Sequence, residues 1–365
     1  MGIVLEMSRR KTGDNMRMTT YGDWFSGFGG MTIGAKAAGL DVVFGAEYRQ
    51  DVAAVYERNL GKHVRVCDLT TVDVATFPYV DVFHASPPCP NFSAAKIGGV
   101  ETVNDKLLSE AIANYIKLRL PKVFTLENVY GYRKSKSWLH IARTLQNRNY
   151  SFNYWHVNMA NYGVPQTRQR MIVIARRDGK TPMLPETTHA KTPRLGLFGT
   201  KTRWIGWYEA IEDLIPTLPD SQFAPWQLAK LPRFYNNNLI MDCKNSGSEW
   251  GVLYRHEEEP TKTIQADQYP RLKAFIMNES NPNGNEKRKY RLAEEPAKTA
   301  TAGGGRNNAY ANGRVVKMTP RAIARFQSFP DWYVLPDKLT LACYGLGNAV
   351  PPLFAQKLYQ HLDTD

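Results

Sequence analysis

The sequence predicts an α/β fold: a doubly wound, mostly parallel sheet carrying an inserted smaller, loop-rich domain. Three observations predict it. From residue 18 to 176, short apolar runs alternate with longer segments whose apolar residues recur at helical spacing. From 180 to 312 the texture changes to Pro, Gly, Asn and basic residues with little periodicity, and from Thr319 helical periodicity returns. Alternating β and α segments imply a parallel sheet covered by helices on both faces. The chain therefore divides into a flexible basic tail at 1–17, a first domain at 18–180, an inserted domain at 181–312 and a return at 313–365 that completes the first domain.

The elements follow in order. "DWFSGFGGMTIGAKAAG" (23–39) sets a glycine-rich turn between a strand and a helix, leaving backbone open to a nucleoside-type ligand. It is not a dinucleotide fingerprint, because Thr32 stands where the third glycine of G-x-G-x-x-G belongs. "DVVFGAE" reads as a buried strand ending at Glu47, which can hydrogen-bond a ribose diol, and "QDVAAVYERNL" as a helix. Asp68 in "VCDLT" can accept from an adenine amino group. "DVFHA" is a strand that runs into "ASPPCPNFSAA" (85–95), where prolines on both sides of Cys89 rule out helix interior or central strand and make a stiff, aimed loop. "KLLSEAIANYIKLRL" and "SWLHIARTLQNR" have helical spacing, and "KVFTLE", ending at Glu127, and "RMIVIA" read as strands. In sheets of this kind ligands bind beyond the strands' carboxyl ends, which is where Glu47, the Cys89 loop and Glu127 fall. In the inserted region, "WIGWYEAIEDLI" reads as a helix, and "EEPTKTIQA" (258–266) and "EEPAKTATA" (294–302) as two similar strand entries. "TPRAIARFQSFP" and "PPLFAQKLYQHL" are helices with Pro in the first turn.

Composition narrows the partner. The 365 residues are 43% hydrophobic, enough for a substantial core, and 47 basic against 34 acidic residues give a net charge of +13, which favours a polyanion, nucleic acid first. Basic residues in the inserted region, among them Arg233, Arg255, Arg271 and the cluster "EKRKYR" (286–291), are interleaved with Trp, Tyr and Asn that can meet phosphates and base edges. Cys67, Cys89, Cys243 and Cys343 form no C-x-x-C pair and no cysteine–histidine zinc spacing, so no metal is expected and a reducing compartment is. No signal peptide, myristoylation pattern or membrane-length apolar run is read, so a soluble, cytoplasmic protein is expected.

Read in order, "DWFSGFGG", Glu47, "CDL", "SPPCPNFS", "LENV", "YGVPQTRQR", "TPRAIARFQSFP" and "GLGNAVPP" resemble the ordered motifs of the C5-cytosine DNA methyltransferases, over residues 18–176 and 312–356. The resemblance implies an S-adenosylmethionine-dependent methyltransferase fold with 181–312 as target-recognition domain, double-stranded DNA as partner and a flipped-out cytosine as target. It implies that the Cys89 thiolate attacks C6, that Glu127 supplies the acid at N3, and that Arg168 and Arg170 stabilise charge and order the cysteine loop, Arg168 being the stronger choice. Cofactor contacts are implied for Phe25, Ser26, Gly27, Gly29, Gly30, Glu47, Asp68, Pro87, Asn348 and Val350. Pro90 departs from the glutamine the family usually has after the cysteine, and Ala85-Ser86 from small glycine-like residues. An RNA-directed cytosine-5 methyltransferase and a catalytically inactive DNA-binding relative are the alternatives. A monomer is expected, and a separate restriction endonuclease is a partner the resemblance allows.

Overall fold

The computed structural model describes residues 18–88, 101–192, 194–196, 199–222, 239–243, 252–256, 274–277, 290–292, 294–298, 308–311 and 314–362. The tail at 1–17, Cys89 and Pro90, Arg233, Arg271 and most of the 286–291 cluster lie outside these residues. The chain forms two compact units, one of 1–211, 294–305 and 319–365 and one of 212–293 and 306–318.

The larger unit is built on a seven-stranded sheet of order β3-β2-β1-β4-β5-β8-β6. Its strands are β1 (Thr20–Trp24), β2 (Asp41–Glu47), β3 (Val64–Val66), β4 (Val82–Ala85), β5 (Val123–Asn128), β6 (Ser151–Asn158) and β8 (Gln169–Arg176). Pairs within β3-β2-β1-β4-β5 are parallel, while β8 runs antiparallel to both β5 and β6. The order reverses between β1 and β4, which makes their carboxyl ends the natural ligand crevice. The expected doubly wound, mostly parallel sheet is therefore present.

Helices α1 (Gly30–Ala37), α2 (Gln50–Leu60), α3 (Val103–Arg119) and α4 (Lys136–Asn147) connect these strands. The helix α3 starts earlier than its apolar spacing predicts. Thr102 and Asp105 form a reciprocal capping box that satisfies donors ahead of the apolar face. Strand β6 was not predicted. It is an edge strand with mostly exposed or half-exposed residues, so it lacks the apolar run by which buried strands are recognised.

Two aromatic-rich clusters cover the sheet. On one face Trp24 meets Phe77 and Phe83 edge-on at 5.1 Å each, with Tyr115, Phe124 and Trp138 in the same cluster. On the other, Tyr21, Val82, Val123 and Ile174 pack against residues of the carboxyl-terminal return. That return contributes α6 (Pro320–Phe326), α7 (Leu339–Asn348) and α8 (Pro352–His361), the numbering following α5 (Trp207–Ile211), which is shorter than the helical pattern around it. The predicted prolines sit in the first turns of α6 and α8, where a missing N–H loses no helical bond. Helix α8 lies so close to α1 that a Cβ on Gly34 would come within 2.4 Å of the Ala355 Cβ.

The larger unit also carries β7 (Gln166–Thr167), β9 (His189–Ala190), β10 (Arg194–Gly196), β11 (Gly199–Arg203) and β16 (Ala297–Lys298), with β16 beside β7. The smaller unit holds the antiparallel pair β12 (Leu239–Cys243) and β13 (Val252–His256). It also holds a four-stranded sheet of β14 (Ala274–Met277), β15 (Tyr290–Leu292), β17 (Asn308–Ala311) and β18 (Arg314–Lys317). Arg314 locks its edge by two bonds to one Asp220 oxygen, at 2.7 and 2.9 Å. No helix among the described residues is long and apolar enough to cross a membrane, and no cluster of metal-ligating side chains occurs among them.

Candidate active site

The crevice at the carboxyl ends of β1 and β4 is shaped by backbone that ordinary residues avoid. Phe25 holds φ at +63°, Gly27 at +54° and Gly29 at +75°, so the chain leaves β1 through three left-handed residues before α1 begins. Among the described residues a Cβ on Gly27 would meet nothing closer than the Phe25 carbonyl at 4.0 Å, so these leave the space above the turn open. Gly30 is different: a Cβ there would fall 2.0 Å from the Val350 carbonyl, so Gly30 and Val350 form the contact between α1 and the carboxyl-terminal return. Gly29, at φ +75°, faces Leu60 and Tyr56.

The carboxylate of Glu47 crosses from β2 to this turn. Its Oε2 accepts from the Gly27 N–H at 3.0 Å and its Oε1 from the Arg49 N–H at 2.9 Å, while burial raises its pKa. Ser26 is buried, donating to the Asp23 carbonyl at 2.8 Å and accepting from the Ala46 N–H at 3.0 Å, so its hydroxyl ties β1 to β2. Asp68 accepts from the Thr70 N–H at 2.9 Å and hydroxyl at 2.7 Å, a local turn that commits one of its oxygens. Tyr48, next to Glu47, leaves 70% of its surface exposed, unusual for so large a ring. Composition alone gave no sign of it; its place after a strand-end acid is the signal that was available.

The strand leading to Cys89 is anchored on both sides. Ser86 donates its N–H to the Trp24 carbonyl at 3.3 Å, joining it to the glycine turn. On the other side Asn128 donates from Nδ2 to the carbonyl of buried Pro87 at 3.1 Å, joining it to the strand that carries Glu127. Asn128 was read only as part of "LENV"; this bond gives it its own role. Within β4, His84 is 1% exposed, bonds Thr125 through Nδ1 at 2.8 Å and is held neutral, burial pushing its pKa down to about 3. Cys89 itself lies outside the described residues, but its approach ends between the turn and Glu127.

Glu127 is 6% exposed, and its Oε1 lies 2.9 Å from Arg170 Nε. That pair has ion-pair distance but not hydrogen-bond alignment, since Oε1 has no aligned donor among the described residues. The charge is thus neutralised while the oxygen stays available to a further donor. The two arginines of "QTRQR" go separate ways. Arg170 meets Glu127, whereas the buried Arg168 donates from Nη1 to the Gly347 carbonyl at 3.1 Å, near the end of α7. Asn348 ends α7 and is exposed; Val350, two residues on, is buried against Gly30. Gln327, 0% exposed in α6's capping segment, donates to the Leu346 carbonyl at 2.6 Å and fixes the same helix end. Glu47, the turn, the approach to Cys89 and Glu127 with Arg170 therefore converge on one edge of the sheet, while Arg168, Gln327 and Gly30 support the elements around it.

The profile of the family described as C-5 cytosine-specific DNA methylase matches residues 19–363. The Type II methyltransferase M1.HphI of Haemophilus parahaemolyticus is 28% identical over 93% of this chain and 85% of its own length. The Type II methyltransferase M.HhaI of the same organism is 26% identical, covering 90% and 89%. In fold, the chain is similar to the S. pombe Dnmt2 methyltransferase, with a TM-score of 0.60, 14% identity, and 95% and 98% of the two chains covered. It is equally similar to a putative DNA modification methyltransferase encoded within an E. coli prophage, with a TM-score of 0.60, 18% identity, and 94% and 98% covered.

Proposed function

The chain belongs to the C-5 cytosine-specific DNA methylase family, and on that premise we propose that it methylates C5 of a flipped-out cytosine in a short duplex sequence through a covalent bond from Cys89 to C6. The chain is a DNA cytosine-5 methyltransferase; the residue roles, the donor and the partners are our reading. The observation that carries it is the tie from Asn128 to Pro87, which joins the approach to Cys89 to the strand end that holds Glu127.

Cytosine C5 is a weak nucleophile, and a thiolate adding at C6 moves electron density onto C5. In this reading Glu127, buried and with an oxygen lacking an aligned donor, takes up a proton from solvent and passes it to N3 of the base as the C6–S bond forms. Arg170 holds Glu127 in place, and Arg168 braces the end of α7. S-adenosylmethionine, when bound, supplies the electrophilic methyl group. A water molecule then takes the C5 proton, the C6–S bond breaks to return the thiolate, and N3 gives its proton back to Glu127, which restores the ring. The open space over Gly27, the Glu47 carboxylate beside it and the exposed Tyr48 ring suit an adenosyl group. Phe25, Ser26, Gly29, Asp68, Pro87, Asn348 and Val350 complete that wall, several of them by holding backbone. Residues 181–312 serve as the target-recognition domain. The family and the relatives named Type II methyltransferases support DNA as the substrate; that it is double-stranded, that a separate endonuclease works beside the enzyme and that the enzyme is a cytoplasmic monomer belong to the same proposal.

The test incubates purified protein with duplex DNA, RNA and S-adenosylmethionine, and analyses the nucleosides by mass spectrometry. The expected result is 5-methylcytosine from DNA with wild type and none with Cys89→Ser. Product from RNA alone moves the substrate, and no product from either leaves a binding protein.

A further inference from the structure

Between Glu127 and Asp178 the sequence contains no acidic residue, yet it carries Arg133, Lys134, Lys136, Arg143 and Arg148 in addition to the arginines of the site. The fold gathers the first three of these next to the catalytic edge. The 3-10 turn Tyr130–Lys134 follows Glu127 and Asn128 directly. Across the sheet, Asn128 pairs with Met171 and Met171 with His156, so His156 stands two strands away from Asn128 in the same row. Two interstrand spacings are roughly 10 Å. Tyr130 closes over that row: its ring stacks on His156 at 3.9 Å and 13°.

The other face of Tyr130 is covered by the Arg133 guanidinium, 3.9 Å from the ring centroid. Arg133 also donates from Nη1 to the Tyr130 carbonyl at 2.8 Å. A guanidinium fixed by a ring and a carbonyl has lost little-used freedom in advance and keeps its remaining N–H groups for an acceptor. No carboxylate pairs with Arg133, Lys134 or Lys136 among the described residues. Glu101 lies beside this segment but is committed to backbone: it accepts from the N–H groups of Lys136 at 3.0 Å and Ser137 at 2.6 Å, capping α4. Lys134, Lys136 and His156 are exposed. An ordinary solvated charge run has neither a fixed guanidinium nor a stack of this kind.

We propose that Arg133, Lys134, Lys136 and His156 form a phosphate-holding surface that takes the backbone of the substrate nucleic acid beside the target base, outside the inserted domain. The proposal rests on the reading of the chain as a nucleic-acid methyltransferase and assigns it a second contact region. With phosphates spaced about 3.4 Å along each strand of a duplex, His156, roughly 10 Å from Asn128 in the strand that carries Glu127, meets those within about three nucleotides of the target. Phosphate contacts of this sort add affinity and register without reading sequence.

The test measures binding of one duplex by fluorescence anisotropy between about 50 and 200 mM salt. It compares wild type, the triple variant Arg133→Ala, Lys134→Ala, Lys136→Ala, the double variant Lys134→Ala, Lys136→Ala, and Tyr130→Leu. Each phosphate contact contributes about 0.9 to the slope of log affinity against log salt. The triple variant is expected to flatten the slope by between about 2 and 3 and to weaken binding about tenfold or more at physiological salt. The double variant, confined to exposed side chains, is expected to flatten it by about 2. Tyr130→Leu keeps every charge and is expected to weaken binding by freeing Arg133. Single-turnover methyl transfer at saturating DNA is expected to stay at the wild-type rate in all three. Unchanged slope and affinity in the double and triple variants overturn the proposal, as does a loss confined to the transfer rate. If wild type binds the duplex but methylates no nucleic acid, the enzymatic reading falls while the slopes still decide the surface.

Discussion

Two buried carboxyl groups near the crevice are held in opposite ways, and that difference separates chemistry from stability. Glu127 has an arginine 2.9 Å away to offset its charge and an oxygen without an aligned donor. Replacing it by Gln keeps the shape but removes the proton a general acid must deliver, so Glu127→Gln is expected to lower the transfer rate by about 10²- to 10⁴-fold. Cofactor affinity, read by calorimetry, should stay within about threefold, because the adenosyl wall lies on other strands. Equal losses in both would place Glu127 in the cofactor site instead. Asp23 is 1% exposed and, among the described residues, has the Thr32 hydroxyl, 2.7 Å from Oδ2, to stabilise its charge. Burial, the largest cause, and the nearby Glu47 charge outweigh that bond and push its pKa up to about 7. A carboxyl raised on folding stabilises the fold below its ordinary pKa near 4 and loses that contribution as pH rises through about 7. At 1.36 kcal/mol per tenfold change in proton affinity, the loss approaches roughly 4 kcal/mol. Asp23→Asn carries a fixed penalty for its new amide but no titration, so its Tm relative to wild type should rise by several degrees between pH 5 and pH 8.5. A pH-independent difference would mean that Asp23 is already ionised in the fold at pH 5. Glu47 is also raised, chiefly by burial, which both proteins share, so the comparison reads Asp23 together with its coupling to Glu47.

At the scale of elements, the parts that were legible in the sequence are those whose burial left a pattern. The apolar runs ending at Glu47, Ala85 and Glu127 become β2, β4 and β5, and the prolines at 320 and 352 mark helix starts. Strand β6 left no such trace, since its outward residues Asn153, Tyr154 and His156 answer to solvent. The resemblance ranks Arg168 above Arg170, whereas the fold brings Arg170 to Glu127 and turns Arg168 to the Gly347 carbonyl, a difference two residues of spacing could not reveal. The tight approach of α1 to α8 was equally hidden, because a glycine in a helix reads as a weak helix residue until its neighbour is known. At Gly34 the neighbour is Ala355, 2.4 Å from where a Cβ would be, with the Gln356 nitrogen at 2.5 Å. Gly34→Ala, ordinarily helix-stabilising by about 1 kcal/mol, is therefore expected to destabilise by about 1–3 kcal/mol as α8 is pushed outward. Chemical denaturation checks this, and a gain in stability would show that the two helices can part without loss.

For the whole molecule, segments from both ends of the chain make one core, and the insertion falls between them in sequence. Helix α8 lies against α1 and places Phe354, Leu358, Tyr359 and Leu362 in the cluster that covers one face of the sheet. A polar line runs through that cluster, from Tyr359 to the Tyr21 hydroxyl at 3.2 Å and toward Thr125 at 3.4 Å, which in turn bonds His84 in the strand before Cys89. Through this line helix α8 braces the strand that leads to Cys89. Burial of a large apolar side chain is worth between about 1.5 and 3 kcal/mol. Four such residues thus supply on the order of 6–12 kcal/mol, comparable to the whole stability of a typical domain. Ending the chain after Asn348 is accordingly expected to abolish the cooperative thermal transition and expose dye-binding apolar surface, although every proposed catalytic side chain is still present. Ending it after Leu362 keeps α8 and the Leu362 carbonyl that accepts from Arg176 at 2.5 Å, so its Tm should match the full chain within about one degree. Cooperative melting of the shorter truncation at the full chain's Tm would show that the sheet closes without its last helix, and the line from Tyr359 to His84 would then have no part in holding the strand that leads to Cys89.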